Sequence, residues 1–434
     1  MNDTLYKKGY ILNIKQVLVN GVKEFAANPL KISGSAIIDL LKRNFGNNSV
    51  WFKNIHLVRN SLNNKSSLDI NFNGEILAQN RYAYDRNGNR TIKQQLRGTT
   101  YYTYDSINQL INVKYPDYEE QLFYDKAGNR NKRIVNDVTE YYLYDKRNRL
   151  IRQVFQKPTG TTAKHYIYDN AGNLMNDGER IYKNDAFNRV TRVETTNGQV
   201  QINRYDAEGL RYEMEENKKL VQFIFNENRE VVVEQSDSDI KRLIRSYDLW
   251  ASESEPEKTW YHYASDEQGS TIFITDEEKI CNKYDYDAWG NLTTCEEIIP
   301  NRYLYTGQQF DQITQQYYLR ARYYNPVIAR FTKEDVYRGD GLNLYTYCDN
   351  NPVIYYDPSG YRKQTILTIR QHAENAIKDL GARLNVEVPK YTDAQLDILE
   401  EKLNKVVNGT FENSTKIGDA CEEVTDYLKK LQII

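Results

Sequence analysis

A short run ending in Tyr-Asp recurs through the middle of this chain at a nearly fixed spacing, and no other feature restricts its fold as tightly. The clearest copies are YAYDRNGNR (82–90), YTYDSINQL (102–110), LFYDKAGNR (122–130), YLYDKRNRL (142–150) and YIYDNAGNL (166–174), with weaker ones at 184–190, 204–212, 263–271 and 286–292. Their aspartates are Asp85, Asp105, Asp125, Asp145, Asp169, Asp185, Asp206, Asp266 and Asp287, in steps of 20, 20, 20, 24, 16, 21, 60 and 21 residues. The step of 60 leaves room for degenerate copies, one of them near FIFNENRE (223–230). A fixed period marks a repeat architecture. Two strands of about 6–8 residues and two turns use roughly 20 residues, so the period predicts one β-hairpin per copy.

The chemistry within each copy agrees. In Y-x-Y-D the tyrosines stand at i and i+2 and share one face of a strand. Asp followed three residues later by Gly suits a type I turn whose last residue takes positive φ. Copies without that glycine carry Asn108, Asn148 or Asn188 there, the other residue type that tolerates a left-handed backbone. The repeat aspartates are therefore expected to form turns and to take no part in catalysis. Tyrosine is abundant, 37 against 13 Phe. Its apolar ring and polar tip fit half-buried strands better than a dry core.

The stretch RYLYTGQQFDQITQQYYLRARYYNPVIARFTKEDVYRGDGLNLYTYCDNNPVIYYDPSGY (302–361) breaks the period. Y-D-x-x-G-N at this spacing, over roughly 75–360, resembles the YD repeats of Rhs proteins, the toxin-complex C component and wall-associated proteins. Residues 302–361 resemble the Rhs core-associated segment through Y-x-G-Q-x-x-D (305–311), Y-Y-L-R-A-R-Y-Y (317–324), R-F (330–331), Asp335, G-L-N-L-Y (341–345), N-N-P (350–352) and D-P-S-G (357–360). The resemblance implies a shell of side-by-side hairpins, plugged by this segment. It also implies an aspartyl self-cleavage between Tyr361 and Arg362, carried by Asp311 and Asp335. Two carboxylates held together cannot both ionise, so one stays an acid while the other activates water. Arg330 and Asp357 enter as supporting residues; Arg320, Arg322 and Arg330 are candidates to pair with these acids or with tyrosine faces. The segment departs from the family pattern at Thr314-Gln315-Gln316, Asn325, Ala329 and Val336, and Tyr361 stands where Leu is usual.

After Gly360 the composition changes. The 73 residues from Arg362 to Ile434 hold three aromatics (Tyr391, Phe411, Tyr427) and 11 Lys/Arg against 12 Asp/Glu. Apolar stripes at helical spacing run over Ile366–Leu380, Leu396–Val406 and Ile417–Leu431, with Thr392 and Gln395 as a capping box. The expected fold is mainly β, spiralling antiparallel hairpin repeats with a small α-helical C-terminal domain. Its expected parts are 1–74 of undetermined fold with a helix around Ile37–Leu41, a repeat shell over 75–300, the plug and autoprotease segment over 301–361, and a variable cargo domain over 362–434.

A formal net charge of −2 gives no field for nucleic acid, and none is expected to bind the shell. Cys281, Cys295, Cys348 and Cys421 lack metal-ligand spacing, so neither metal nor cofactor is expected. No run of 18 apolar residues predicts a membrane span. Met1–Lys23 lacks the apolar run of a secretory leader. This points to a cytoplasmic stage, then a non-classical or partner-dependent route to the outside or the cell surface. The partners this implies are the chain's own C-terminal domain as cargo, an upstream shell subunit, a secretion apparatus and a cognate immunity protein. Two other readings stay open: a non-catalytic scaffold binding glycans or partner proteins, and an inactive orphan fragment.

Overall fold

The computed structural model describes residues 55–59, 65–72 and 75–365, apart from 238, 246–248, 256–257, 277 and 338–340. The chain divides into two units, 81–366 and the remainder. In the remainder, β1 (Ile55–Arg59) pairs antiparallel with β2 (Lys65–Phe72), so part of the region whose fold the sequence left undetermined is strand. The helix expected around Ile37–Leu41 and the three helical stripes of the tail lie outside the described residues.

Residues 81–366 are built of antiparallel strands that follow one another in chain order. One sheet runs from β3 (Glu75–Tyr84) to β11 (Gly160–His165), and a second from β12 (Ile167–Tyr168) to β25 (Leu292–Glu297). The repeat explains this order, because every Asp closes its turn locally. Asp125 Oδ1 accepts the amides of Ala127 (2.8 Å) and Asn129 (3.0 Å), and the Gly128 amide donates to the Asp125 carbonyl at 3.0 Å. Gly128 has φ +75°, and Asn148 takes the same left-handed place at φ 60°. The chain then bulges, with Tyr124 opposite Arg130 after a register shift. Asn226 makes the same pair of bonds, to the amides of Asn228 and Glu230, so 223–230 is a degenerate copy, as its sequence suggested.

Alternation turns the face that carries the tyrosines inward, and Tyr82, Tyr142 and Tyr166, each the first of its pair, are buried. Tyr142 is buried while Leu143 beside it is exposed. In five copies the tyrosine just before the Asp donates its hydroxyl to a backbone carbonyl in the preceding hairpin: Tyr104 to Arg90, Tyr124 to Leu110, Tyr144 to Arg130, Tyr205 to Val190 and Tyr286 to Thr271, at 2.7–2.8 Å.

Residues 302–353 join all three apolar cores of the sheets. Tyr303, Tyr305, Phe310, Tyr317, Tyr324 and Phe331 pack with Met214, Phe223, Tyr263 and Ile274. Ile328 joins the core around Tyr142 and Tyr182, and Ala329 and Val353 the core around Val113 and Trp289. At roughly 1.5–3 kcal/mol for each large side chain fully buried, this segment carries much of the interior's stabilisation. Polar contacts index it to the repeat turns: Asn343 Nδ2 donates to Asn129 Oδ1 (2.7 Å), Asn350 Nδ2 to the Gly128 carbonyl (2.8 Å), and Asn351 Nδ2 to the Asn108 carbonyl (2.8 Å). Its strands β26 (Gln309–Asp311), β27 (Gln316–Leu319), β28 (Arg322–Asn325) and β29 (Arg330–Phe331) form one small antiparallel sheet. A last hairpin pairs β30 (Tyr355–Tyr356) with β31 (Gln364–Thr365). The composition break at 361/362 therefore falls inside a hairpin loop. Among the described residues no helix is long and apolar enough to cross a membrane.

Candidate functional site

The loop between β30 and β31 holds the predicted scissile bond. Asp357 shapes it, its Oδ1 accepting the amides of Ser359 (3.1 Å) and Gly360 (2.8 Å). The Tyr361 amide donates to Ser359 Oγ at 3.2 Å, and the Tyr361 side chain is 42% exposed. The loop lies against the turn joining β27 to β28. There the Arg320 guanidinium donates to the Pro358 carbonyl, the Ala321 amide to the Ser359 carbonyl at 3.1 Å, and Arg322 Nε to the Gly360 carbonyl.

Arg322 is the hub. Its Nη2 lies 2.7 Å from Asp335 Oδ2 and 3.6 Å from Asp357 Oδ2, and its Nη1 donates to the Leu344 carbonyl at 3.1 Å. The guanidinium sits 3.5 Å from the centroid of the Phe331 ring. All three charged side chains are buried. Burial pushes the Asp357 carboxyl above the usual carboxylate range, against the pull of Arg322 and of the amides it accepts. Asp335 Oδ1 also accepts the Tyr337 amide at 2.8 Å. Asp335, Arg322 and Tyr361 line one cleft of about 760 Å³, together with Lys333. Burial, reinforced by Arg322, lowers the Lys333 ammonium to about 8. Asp335 and Asp357 both line a small second cavity beside Arg322, Phe331 and Lys363. Among the described residues no group of three His, Cys, Asp or Glu side chains is placed to hold a metal ion.

Asp311 is engaged elsewhere. It is fully buried against the Arg211 fork, with Arg211 Nη2 2.9 Å from Oδ1, and its Oδ2 accepts from Gln201 Nε2 at 2.8 Å. The same guanidinium donates to Tyr323 Oη at 2.8 Å and lies over the Tyr318 ring. Tyr323 and Arg322 are neighbours on β28, and strand neighbours point to opposite faces. Asp311 therefore belongs to the Arg211 and Tyr323 side of β28, Asp335 to the Arg322 side. The expected pair was Asp311 with Asp335; Asp311 has Arg211 as its ion-pair partner, and the second carboxylate at Arg322 is Asp357. Arg330 also stands apart, its Nη2 donating to the Asn148 carbonyl at 2.6 Å and its guanidinium lying over the rings of Tyr144 and Tyr345. It fastens β29 to a repeat turn.

The resemblance made Asp357 a supporting residue and Arg322 a candidate partner for the acids; Asp357 Oδ1 shapes its own loop and its Oδ2 faces Arg322. The available signal was the alternation in R-A-R-Y-Y, which sends Arg322 and Tyr323 to different partners. The arrangement supplies two carboxylates of unlike environment on one cation, beside a backbone loop held in a fixed register.

The teneurin YD-shell family matches residues 53–353 of this chain. The tRNA nuclease WapA of Bacillus subtilis (strain 168) is 35% identical over 212 residues, 45% of this chain and 9% of that protein. The tRNA3(Ser)-specific nuclease WapA of Bacillus spizizenii matches over the same length at 35% identity, again over 9% of its own length. This chain therefore spans about a tenth of the length of these curated relatives. In the crystal structure of TcdB2-TccC3, a fold similar to this one covers 70% of this chain and 18% of that chain, with a TM-score of 0.53 and 17% sequence identity.

Proposed function

The chain belongs to the teneurin YD-shell family, and from that premise we propose that residues 301–361 cut their own polypeptide after Tyr361, freeing residues 362–434 as an effector-type cargo of an Rhs-type shell. The observation that carries this reading is the Arg322 hub, which gathers Asp335, Asp357 and the Gly360 carbonyl next to the loop that holds the bond. Asp335, paired closely with Arg322, is the ionised base that takes a proton from water. Asp357, whose protonated form burial favours, gives a proton to the departing nitrogen. Water oxygen bonds to the Tyr361 carbonyl carbon, the carbon–nitrogen bond to Arg362 breaks, and the products are a Tyr361 carboxylate and an Arg362 amine. The substrate is tethered, so orientation supplies what binding energy supplies elsewhere.

The partners of this reading are the chain's own C-terminal domain, an upstream shell subunit, a secretion apparatus and a cognate immunity protein, with delivery outside the producing cell. The nuclease activity in the relatives' names belongs to those proteins, and no activity is assigned to residues 362–434. Intact-mass spectrometry of the purified full-length chain tests the cleavage. Two fragments split after Tyr361 are expected from the native chain, and a single full-length species from Asp335→Asn and Asp357→Asn. A native chain as intact as Asp335→Asn removes the proposal and leaves the non-catalytic scaffold.

A further inference from the structure

The position of the cut has its own structural basis, separate from the carboxylates. Three successive residues of the β27–β28 turn hold three successive carbonyls of the loop: Arg320 holds Pro358, Ala321 holds Ser359, and Arg322 holds Gly360. The pairing is one to one, so the loop cannot slip by a residue without losing the whole set.

Two further observations fix the register. Gly360 has φ +72°, and a Cβ there would lie 2.5 Å from the Leu319 carbonyl oxygen and 2.8 Å from the Arg322 nitrogen. Both are backbone atoms that cannot swing aside, so only glycine fits this place. Arg320 itself has φ 62°, a conformation that favours Gly or Asn. Its side chain accounts for an arginine there: Nε donates to the Arg229 carbonyl at 2.7 Å and Nη1 to Gln308 Oε1 at 3.3 Å, which aims the guanidinium at Pro358. The Tyr361 side chain, by contrast, is 42% exposed, without the enclosure of a specificity pocket.

We propose that Arg320, Ala321 and Arg322 form a main-chain clamp that selects the scissile bond by its distance from Gly360, so that the side chain at position 361 does not specify the cut. Arg320 is then a positioning residue, and a tyrosine at 361 is accommodated because nothing reads it. This inference rests on the self-cleavage reading.

Mass spectrometry of fragment termini, over a time course with the full chain, is the test. Tyr361→Ala and Tyr361→Leu are expected to be cut at the same bond at rates within about tenfold of the native chain, whereas Arg320→Met slows the cut by roughly a hundredfold or yields mixed termini, the size of loss a small misplacement causes. Arg320→Lys, which keeps a donor, is expected to recover the single terminus. A glycine inserted between Gly360 and Tyr361 moves the cut to follow the inserted residue. A cut that still follows the tyrosine overturns the clamp, as does a Tyr361→Ala chain that folds and stays whole. An insertion variant that stays whole is decided by Tyr361→Ala: cut normally, the clamp stands; uncut, it falls. An Arg320→Met chain that cuts at the native rate and place also overturns it. Failure of the native chain to cut removes the self-cleavage reading itself, whereas a cut that tracks tyrosine removes only the clamp.

Discussion

In the repeat sheets an aspartate serves its own turn, whereas in residues 302–361 the aspartates also serve side chains elsewhere in the chain. Asp125 binds the amides two and four residues ahead of it, and Asp105, Asp145, Asp185, Asp206, Asp266 and Asp287 do the same. Asp311 instead meets an arginine 100 residues earlier, and Asp335 one on a strand of the small sheet. Asp335 and Asp357 belong to both classes, each with Oδ1 on its own loop and Oδ2 facing Arg322. Local use of a residue repeats and can be read from spacing. Distant use occurs once, and only the folded chain reveals it.

The largest effect expected from this contrast is at Asp357. Asp357→Asn keeps the side-chain acceptor for the Ser359 and Gly360 amides but loses the acid, so cleavage should fall by at least about a thousandfold, as for Asp335→Asn. Thermal unfolding should move by only a few degrees. Fragment appearance and melting, measured on one preparation, separate the two consequences. Cleavage at the native rate in Asp357→Asn, together with its loss in a normally folded Asp311→Asn, would restore the pairing expected from sequence.

Next comes Asp311. Its replacement by Asn leaves the fully buried Arg211 charge without a carboxylate, which costs roughly 3–5 kcal/mol where one partner of a buried pair is removed. Denaturant unfolding should register that loss while the folded fraction still cuts itself. Unchanged stability would mean that Arg211 draws its compensation from Gln309, Tyr323 and the Tyr318 ring.

The same contrast sets how much could be read in advance. The hairpin per copy, the glycine or asparagine at positive φ, the inward tyrosines and the degenerate copy at 223–230 all follow from one local pattern repeated. Neighbouring copies test one another, so a chance resemblance in one is averaged out. In residues 302–361, family likeness singled out Asp335 and the 361–362 bond, and Asp335 and Tyr361 line one cleft. The Arg211 partner of Asp311 was not legible, because a carboxylate's partner depends on which face of β28 it meets, and a single unrepeated stretch has no second copy to compare with. Strand β31 was missed for a related reason: Gln364 and Thr365 pair with Tyr355 and Tyr356 across the composition break.

A smaller effect concerns pH and the repeat region alone. Burial lowers His262, on the strand Thr259–Ser265, to about 4 from an ordinary value of 6.5, with Asp276 opposing the shift. Between pH 6.5 and 4 the unfolded chain binds more protons than the folded one, so stability rises with pH across that window and is lost as the pH falls through it. The full difference is roughly 3 kcal/mol. His262→Gln should flatten the dependence between pH 4 and 6.5. An unchanged slope in that variant would transfer the acid sensitivity to other groups.

The smallest expected effect asks whether the repeat needs tyrosine or only an aromatic ring. Tyr124 donates to the Leu110 carbonyl at 2.8 Å, and burial holds its phenol well above the usual range, so it remains a donor at any working pH. Where the copies degenerate, Arg245 Nε donates to the Val231 carbonyl at 2.9 Å across the same interval of 14 residues. A guanidinium shares little shape with a phenol, so what these copies have in common at this place is the donor. Tyr124→Phe keeps the ring and strips that donor, leaving a carbonyl unpaired, and should cost about 1 kcal/mol. Tyr141→Phe, on the exposed outer face, should stay within about 0.5 kcal/mol of the native chain. Equal losses at the two sites in denaturant titrations would show that ring packing, and not the hydroxyl, ties each hairpin to the one before it.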